Sequence, residues 1–212
     1  MKELALLIVL ITSCSSLPLP QGKKTTPAPE RKELQLDIPK DGWEPIFFKS
    51  INARANISNL KTLRAGTLPE NDLEVRIWHG FGLTALEGFV LKRAAGQWSA
   101  MHLEGIHPGL PQSEYQKILA APKSGWELSW QRLEEAGIST LPDASAIGCS
   151  AMMNDGVSYV VEFKRQGIYR TYLYDNPNYA KCDEAKRMIK IGNIVSEEFG
   201  VAEMAAIKRI EQ

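Results

Sequence analysis

Apolar and polar residues alternate along several stretches of the chain, which is the pattern of strands that bury one face in a core. The stretch 73–79 has apolar residues at its odd positions and mostly polar residues between them. Two further stretches, 87–93 and 97–103, are separated by three residues that end at Gly96. A three-residue loop ending in glycine suits a turn followed by a left-handed bulge residue. We therefore expect a β-hairpin in which the last residue of one strand pairs with the first residue of the next.

A second hairpin is predicted by the stretches 159–164 and 168–174, which are also joined by three residues ending in glycine. A two-residue loop is the alternative, but it would bury Phe163 opposite Arg170. We expect the three-residue loop, because its register leaves one face of the hairpin apolar. The other face of the hairpin then carries Glu162, Arg170, Tyr172 and Tyr174.

Helical patterns follow each hairpin. Ser124 and Glu127 have the spacing of a capping box, and the helix that they begin should end at Gly137. A second apolar stripe begins after Asp183 and is closed by Gly200. The order strand, hairpin, helix, hairpin, helix lacks the strand–helix alternation of parallel sheets. It predicts an α+β domain with an antiparallel sheet of β-hairpins and two or three helices packed on one face.

The beginning of the chain has the features of an export signal. The apolar run 4–11 is much shorter than the ~20 residues that a membrane-spanning helix needs. The tetrapeptide Ile11-Thr12-Ser13-Cys14 that follows resembles the lipobox of bacterial lipoproteins. This resemblance implies that Cys14 becomes a diacylated N-terminus and that residues 1–13 are a signal peptide. Ser15 resembles an outer-membrane sorting signal, which implies an outer-membrane lipoprotein facing the periplasm.

The segment after the lipobox is rich in proline, serine, threonine, lysine and glutamate. Such a composition cannot bury a core, so residues 14–41 are predicted to form the lipidated N-terminus and an extended tether. Residues 42–212 are then a single globular domain. The pattern of Gly, Tyr and Arg residues between Asp155 and Pro177 also resembles bacterial envelope proteins, and this resemblance implies no particular activity.

The chain has three cysteines, an odd number for an exported protein. If Cys14 carries lipid, Cys149 and Cys182 remain as a pair in an oxidising compartment. A zinc site is the competing use, but two cysteines 33 residues apart with no nearby histidine do not form one. We therefore expect a disulfide between Cys149 and Cys182.

Composition and motifs remove several functional classes. Lys and Arg together number 25, as do Asp and Glu, so the basic excess of a nucleic-acid-binding protein is absent from the sequence. No phosphate loop, dinucleotide fingerprint or G-x-S-x-G elbow occurs in the sequence, and no cofactor is expected. His102 and Glu104 would share one face of a strand, with His79 near and His107 beyond. We expect them to be solvent-facing residues at a strand end rather than metal ligands.

Two functions remain open. The first is a non-catalytic module that binds an envelope protein or glycan through the face with Glu162, Arg170, Tyr172 and Tyr174, because tyrosine and arginine are enriched in recognition surfaces. The alternative is a small carboxylate-dependent hydrolase that acts on cell-envelope material, with Glu162 as its first candidate and Glu74 and Glu87 as others. Two carboxylates ~5–10 Å apart across a cleft would favour hydrolysis.

Overall fold

The structure is a computed structural model. In the residues that it describes, a seven-stranded sheet forms the centre of the fold. These residues are 35–39, 47–81, 86–105, 115–149 and 156–204. The strands are β1 (Gln35–Asp37), β2 (Leu73–Gly80), β3 (Glu87–Ala94), β4 (Gln97–Leu103), β5 (Gln116–Leu119), β6 (Ser158–Arg165) and β7 (Ile168–Asp175). Their order is β1-β7-β6-β2-β3-β4-β5, and every neighbouring pair is antiparallel except β1 and β7.

Three α-helices accompany the sheet in the described ranges: α1 (Phe48–Ile57), α2 (Trp126–Ala136) and α3 (Asp183–Phe199). The predicted α+β class with an antiparallel sheet of hairpins is confirmed. Strand β1 lies inside the segment 14–41 that composition predicted to be a tether. The predicted signal peptide 1–13 and Cys14 lie outside the described residues.

One face of the sheet, called the helix face below, is covered by α2 and α3. Successive side chains of a strand point to opposite faces. The helix face therefore receives the odd-numbered residues of β2, β3 and β6 and the even-numbered residues of β7. Its buried core includes Leu73, Val75, Ile77, Phe89, Leu91, Val161, Leu133, Met188, Ile191 and Val195.

The opposite face, called the groove face below, carries α1 and a smaller buried cluster. This cluster contains Phe48, Ile51, Ala55, Trp78, Val90, Leu103 and Val160. The two predicted helices, α2 and α3, therefore lie on one face as expected, and α1, which the sequence did not predict, lies on the opposite face. The reason is that Trp78 and Val160 form an apolar patch on the otherwise polar face of β2 and β6, and α1 covers that patch.

Both hairpins have two-residue turns instead of the three-residue loops that the sequence predicted. Ala94 pairs with Gln97 in one hairpin, and Arg165 pairs with Ile168 in the other. Both turn residues have positive φ, at 48° and 79° for Ala95–Gly96 and 52° and 75° for Gln166–Gly167. Positive φ at both positions defines the type I′ turn, whose twist matches that of the flanking strands.

The register of the second hairpin places Phe163 opposite Arg170, the pairing that appeared too costly from sequence. The cost is offset because the Arg170 guanidinium donates to two backbone carbonyls. One is that of Ser139, and the other is that of Leu141, at 2.8 Å from Nη2. A partly buried cation with such partners is tolerated in an apolar surrounding.

The start of α2 also differs from the prediction. The helix begins at Trp126, and Gly125 rather than Ser124 is its N-cap residue. Glu127 does not return to the cap, because it accepts a hydrogen bond from Trp98 Nε1 at 2.7 Å. This contact ties the helix to strand β4, and the predicted end of the helix at Gly137 is confirmed.

The predicted disulfide between Cys149 and Cys182 is confirmed, with a Cα–Cα distance of 6.0 Å. It joins the segment after the 3₁₀ turn Ala144–Ile147 to the N-cap residue of α3. With the cysteines 33 positions apart in the sequence, the chain-entropy model gives a stabilisation of ~3.7 kcal/mol. The bridge therefore fixes one of the two helices that cover the helix face.

Candidate functional site

The predicted recognition surface on the second hairpin does not exist, because its two tyrosines are buried. Tyr172 is 0% exposed and Tyr174 is 1% exposed. Their hydroxyls donate to the carbonyls of Ile138 at 2.9 Å and of Pro142 at 2.8 Å. The two-residue turn is the cause, since it turns Tyr172, Tyr174 and Arg170 towards the segment that follows α2. Burial raises the pKa of both phenols above the ordinary range.

Glu162, the fourth residue of that predicted surface, lies on the groove face and is also buried. Its carboxylate accepts hydrogen bonds from Trp78 Nε1 at 2.7 Å and from the Tyr169 hydroxyl at 2.8 Å. The side chain is 1% exposed, so it is enclosed rather than presented to a substrate. The residue favoured from sequence as a catalytic carboxylate therefore has the environment of a structural one.

Four buried charged residues form a checkerboard on β2 and β6, called the charged cluster below. In the strand register Glu74 is opposite Lys164, and Arg76 is opposite Glu162. Each charge therefore has an opposite charge across the ladder and another two positions along its own strand. Two cations and two anions leave the charged cluster with a formal net charge of zero. Such compensation is what allows charges to remain in a buried sheet face.

The two cations of the charged cluster hold a loop against the sheet. Arg76 donates from Nε and Nη2 to Glu74 Oε1, at 2.8 and 2.6 Å, and from Nη2 to the Lys61 carbonyl at 2.9 Å. Lys164 Nζ donates to the Leu63 carbonyl at 2.6 Å and also to the Gly66 carbonyl. Burial lowers the pKa of the Lys164 ammonium. The segment from Lys61 to Gly66 is thus anchored by side chains that rise from the sheet.

A groove of about 510 Å³ lies between this anchored loop and strands β2 to β6. Its volume is within the ~300–1,000 Å³ that is typical of small-ligand sites. The loop contributes apolar side chains at Leu60, Leu63 and Leu68, and the sheet contributes both apolar and charged ones. Its charged lining residues are Lys61, Glu74, Arg76, Lys92 and Lys164. The lining therefore has four cations and one carboxylate.

The histidines form no metal site in the ranges that the structure describes. His102, expected to face solvent, is buried, with Nε2 at 3.9 Å from Glu87 and Nδ1 at 3.9 Å from Glu104. His79 packs its ring on Tyr159, with a centroid distance of 4.6 Å. His107 lies outside the described residues. No group of three or more His, Cys, Asp or Glu side chains is arranged to hold a metal ion there.

Comparison with protein families, curated proteins and solved structures finds no match for the chain. Within the described residues, no helix has the length and apolar character needed to cross a membrane. The features of the groove are therefore the basis for inferring a function.

The groove residues Lys92, Ser99 and Ile118 were missed in the sequence. A signal for the charged cluster was present, since Glu74 and Arg76 on one strand and Glu162 and Lys164 on another repeat at every second position. That alternation indicates a polar sheet face. The anchored loop buries part of this polar face, and its sequence has no comparable alternation.

Proposed function

We propose that this chain is a lipid-anchored protein of the bacterial cell envelope whose globular domain binds a ligand in the groove, without catalysis. The observation that carries the binding proposal is the groove itself, an open site of about 510 Å³ on a sheet face that is otherwise closed by α1 and a loop. The resemblance of Ile11–Cys14 to a lipobox supports the anchor. Ser15 supports the outer membrane as its location, or the cell membrane in a source with one membrane.

The carboxylates around the groove favour binding over hydrolysis. Glu74 is the one carboxylate among the described lining residues, and Arg76 neutralises it. A more open depression of about 300 Å³ between α2 and α3 also has a single lining carboxylate, Glu197. Glycoside hydrolysis uses a pair of carboxylates, one as acid and the other as base or nucleophile. Neither site in the described part of the chain supplies such a pair.

The anchor is tested by palmitate incorporation in the bacterial host. We expect wild-type chain to be labelled and the Cys14→Ser variant to be unlabelled. A variant with Cys149→Ser and Cys182→Ser is the matched control, because it keeps Cys14 and should be labelled. Labelling that survives Cys14→Ser would reject the lipoprotein proposal.

The groove is tested by native mass spectrometry of the full chain with Cys14→Ser after incubation with an envelope extract. Ser99 is exposed and lines the groove, so Ser99→Trp should fill it without disturbing the core. Gln97→Trp is the control, since Gln97 is an exposed residue of the same strand outside the lining. We expect bound species with the parent chain and the control, and none with Ser99→Trp. The same species on all three proteins would contradict binding in the groove.

A further inference from the structure

We infer that the groove is a site for aliphatic carboxylates, with Lys92 as the contact for the anionic head. The inference rests on the proposed function, because it names the class of ligand for that same groove. Three observations carry it: an apolar row of side chains, a polar row beside it, and a half-buried cation that has no partner among the described residues.

The apolar row crosses three neighbouring strands on the groove face. Val90 pairs with Met101, and Met101 pairs with Ile118. Ile118 is 75% exposed, the highest value among the exposed large apolar residues of the described chain. All three line the groove, together with Leu60, Leu63 and Leu68. Apolar surface of this kind is stabilised when an aliphatic group covers it.

The polar row is the adjacent pair towards the β3–β4 turn. Lys92 pairs with Ser99 in the register of these strands, and both line the groove. One ammonium and one hydroxyl next to each other suit the two oxygens of a carboxylate. A ligand with its head on this pair would lay its chain on the row Val90, Met101 and Ile118.

Lys92 is the half-buried groove cation that can accept a new anion. Arg76 is bound to Glu74, Lys164 is bound to two carbonyls, and Lys61 is an exposed residue of the loop. Lys92 is half-buried and makes no hydrogen bond or ion pair with the residues that the structure describes. One half-buried ammonium beside one hydroxyl matches a single negative charge better than a phosphate dianion. The lining charges, four positive and one negative, disfavour a cationic ligand.

The probe is decanoate, added below its micelle concentration to the full chain with Cys14→Ser so that no acyl group of the protein competes. The methyl NMR signals of Met101 and Ile118 report occupancy directly. Decanol has the same chain without the charge, and decylamine has the opposite charge. We expect saturable shifts with decanoate and an affinity about tenfold higher than for decanol, the ratio that ~1.4 kcal/mol gives.

Two variants separate the head contact from the groove. Lys92→Met keeps the length of the side chain and should weaken decanoate about tenfold while leaving decanol unchanged. Lys49→Met is the matched control, because Lys49 is an exposed cation of α1 outside the lining, and it should alter neither ligand.

Three results would overturn the inference. One is decanol or decylamine binding as tightly as decanoate, and another is Lys92→Met leaving decanoate binding intact. Methyl signals that respond to none of the three probes would also overturn it. The proposed function would then still stand if envelope components bind in a way that Ser99→Trp abolishes, and it would fail if they do not.

Discussion

The two faces of the sheet hold irregular segments in place with different side chains. On each face an irregular segment lies against the strands, and its buried carbonyls need hydrogen-bond donors. On the helix face the donors are Arg170, Tyr172 and Tyr174, which reach the segment 138–142. On the groove face the donors are Arg76 and Lys164, which reach the segment 61–66.

The two sets of donors differ in charge. Two of the three donors on the helix face are neutral phenols, and the surrounding residues are apolar. Both donors on the groove face are cations, and Glu74 and Glu162 accompany them as counterions. On both faces, long polar side chains of the strands therefore bind the loop segments to the sheet. In this chain, the tyrosines and the arginine of β7 have this structural role and do not form a recognition surface.

The largest effect that we expect is a loss of folding stability at alkaline pH, when four buried tyrosines lose their protons. It tests whether both faces of the sheet exclude water. Burial raises the pKa of Tyr159 to about 12 and places the pKa values of Tyr169, Tyr172 and Tyr174 above the ordinary range. The folded chain keeps these protons at a pH where the unfolded chain, with phenolic pKa values near 10, has lost them. The stabilisation is therefore complete below about pH 10 and is lost as the pH rises through about 12.

For Tyr159 alone, a rise from 10 to about 12 corresponds to ~3 kcal/mol, and the other three add to it. We expect phenolate absorbance from these tyrosines to appear together with cooperative unfolding. Tyr169→Phe is the informative variant, because Tyr169 is the one of the four on the groove face. Early phenolate absorbance that this variant removes would show that water reaches the groove face more readily than the helix face.

The next effect concerns the charged cluster and is about 4 kcal/mol. Arg76→Met removes one cation and leaves Glu74 and Glu162 buried with reduced compensation, and breaking a buried pair typically costs ~3–5 kcal/mol. The double variant Glu74→Met with Arg76→Met removes both charges and should recover at least half of that loss, because apolar residues replace buried pairs at little cost. Urea denaturation measures both. Equal losses in the two variants would mean that charge compensation does not stabilise this face.

Substitutions of two adjacent residues of β3 test how tightly each face of the sheet is packed. Leu91 points into the core of the helix face, and Val90 borders the groove. We expect Leu91→Ala to cost ~3 kcal/mol, because it leaves a sealed cavity, and Val90→Ala to cost ~1 kcal/mol, because it only widens an open groove. Thermal or urea unfolding measures the ratio. Similar losses would indicate that the groove is closed in solution.

The sequence predicted the class of the fold, because alternation, helical spacing and cysteine pairing are local signals. Strands β2, β3, β4, β6 and β7, two helices and the disulfide between Cys149 and Cys182 were predicted in this way. The turn types were not predicted, because Ala95 and Gln166 adopt positive φ without being the asparagine or aspartate that usually marks a type I′ turn.

The wrong turn length in the second hairpin also made the predicted binding surface wrong. One residue in the loop decides which face every side chain of β7 occupies, so Tyr172 and Tyr174 moved from the predicted surface into the core. Face polarity led to the error, because it did not show that the guanidinium of Arg170 donates to carbonyls that are distant in sequence. Only the three-dimensional position of the segment after α2 identifies those acceptors.

The smallest effect compares one tyrosine hydroxyl on each face. Tyr169 donates to the buried carboxylate of Glu162 at 2.8 Å, and Tyr172 donates to the neutral carbonyl of Ile138 at 2.9 Å. Hydrogen bonds to charged groups contribute ~1.5–3 kcal/mol and neutral ones ~0.5–1.5 kcal/mol. We expect Tyr169→Phe to cost ~2 kcal/mol and Tyr172→Phe ~1 kcal/mol in urea denaturation at neutral pH. Both variants keep the ring and its packing, so the difference isolates the acceptor. Equal costs, or a larger cost for Tyr172→Phe, would mean that Glu162 does not depend on Tyr169 and that the charged cluster is solvated through the groove.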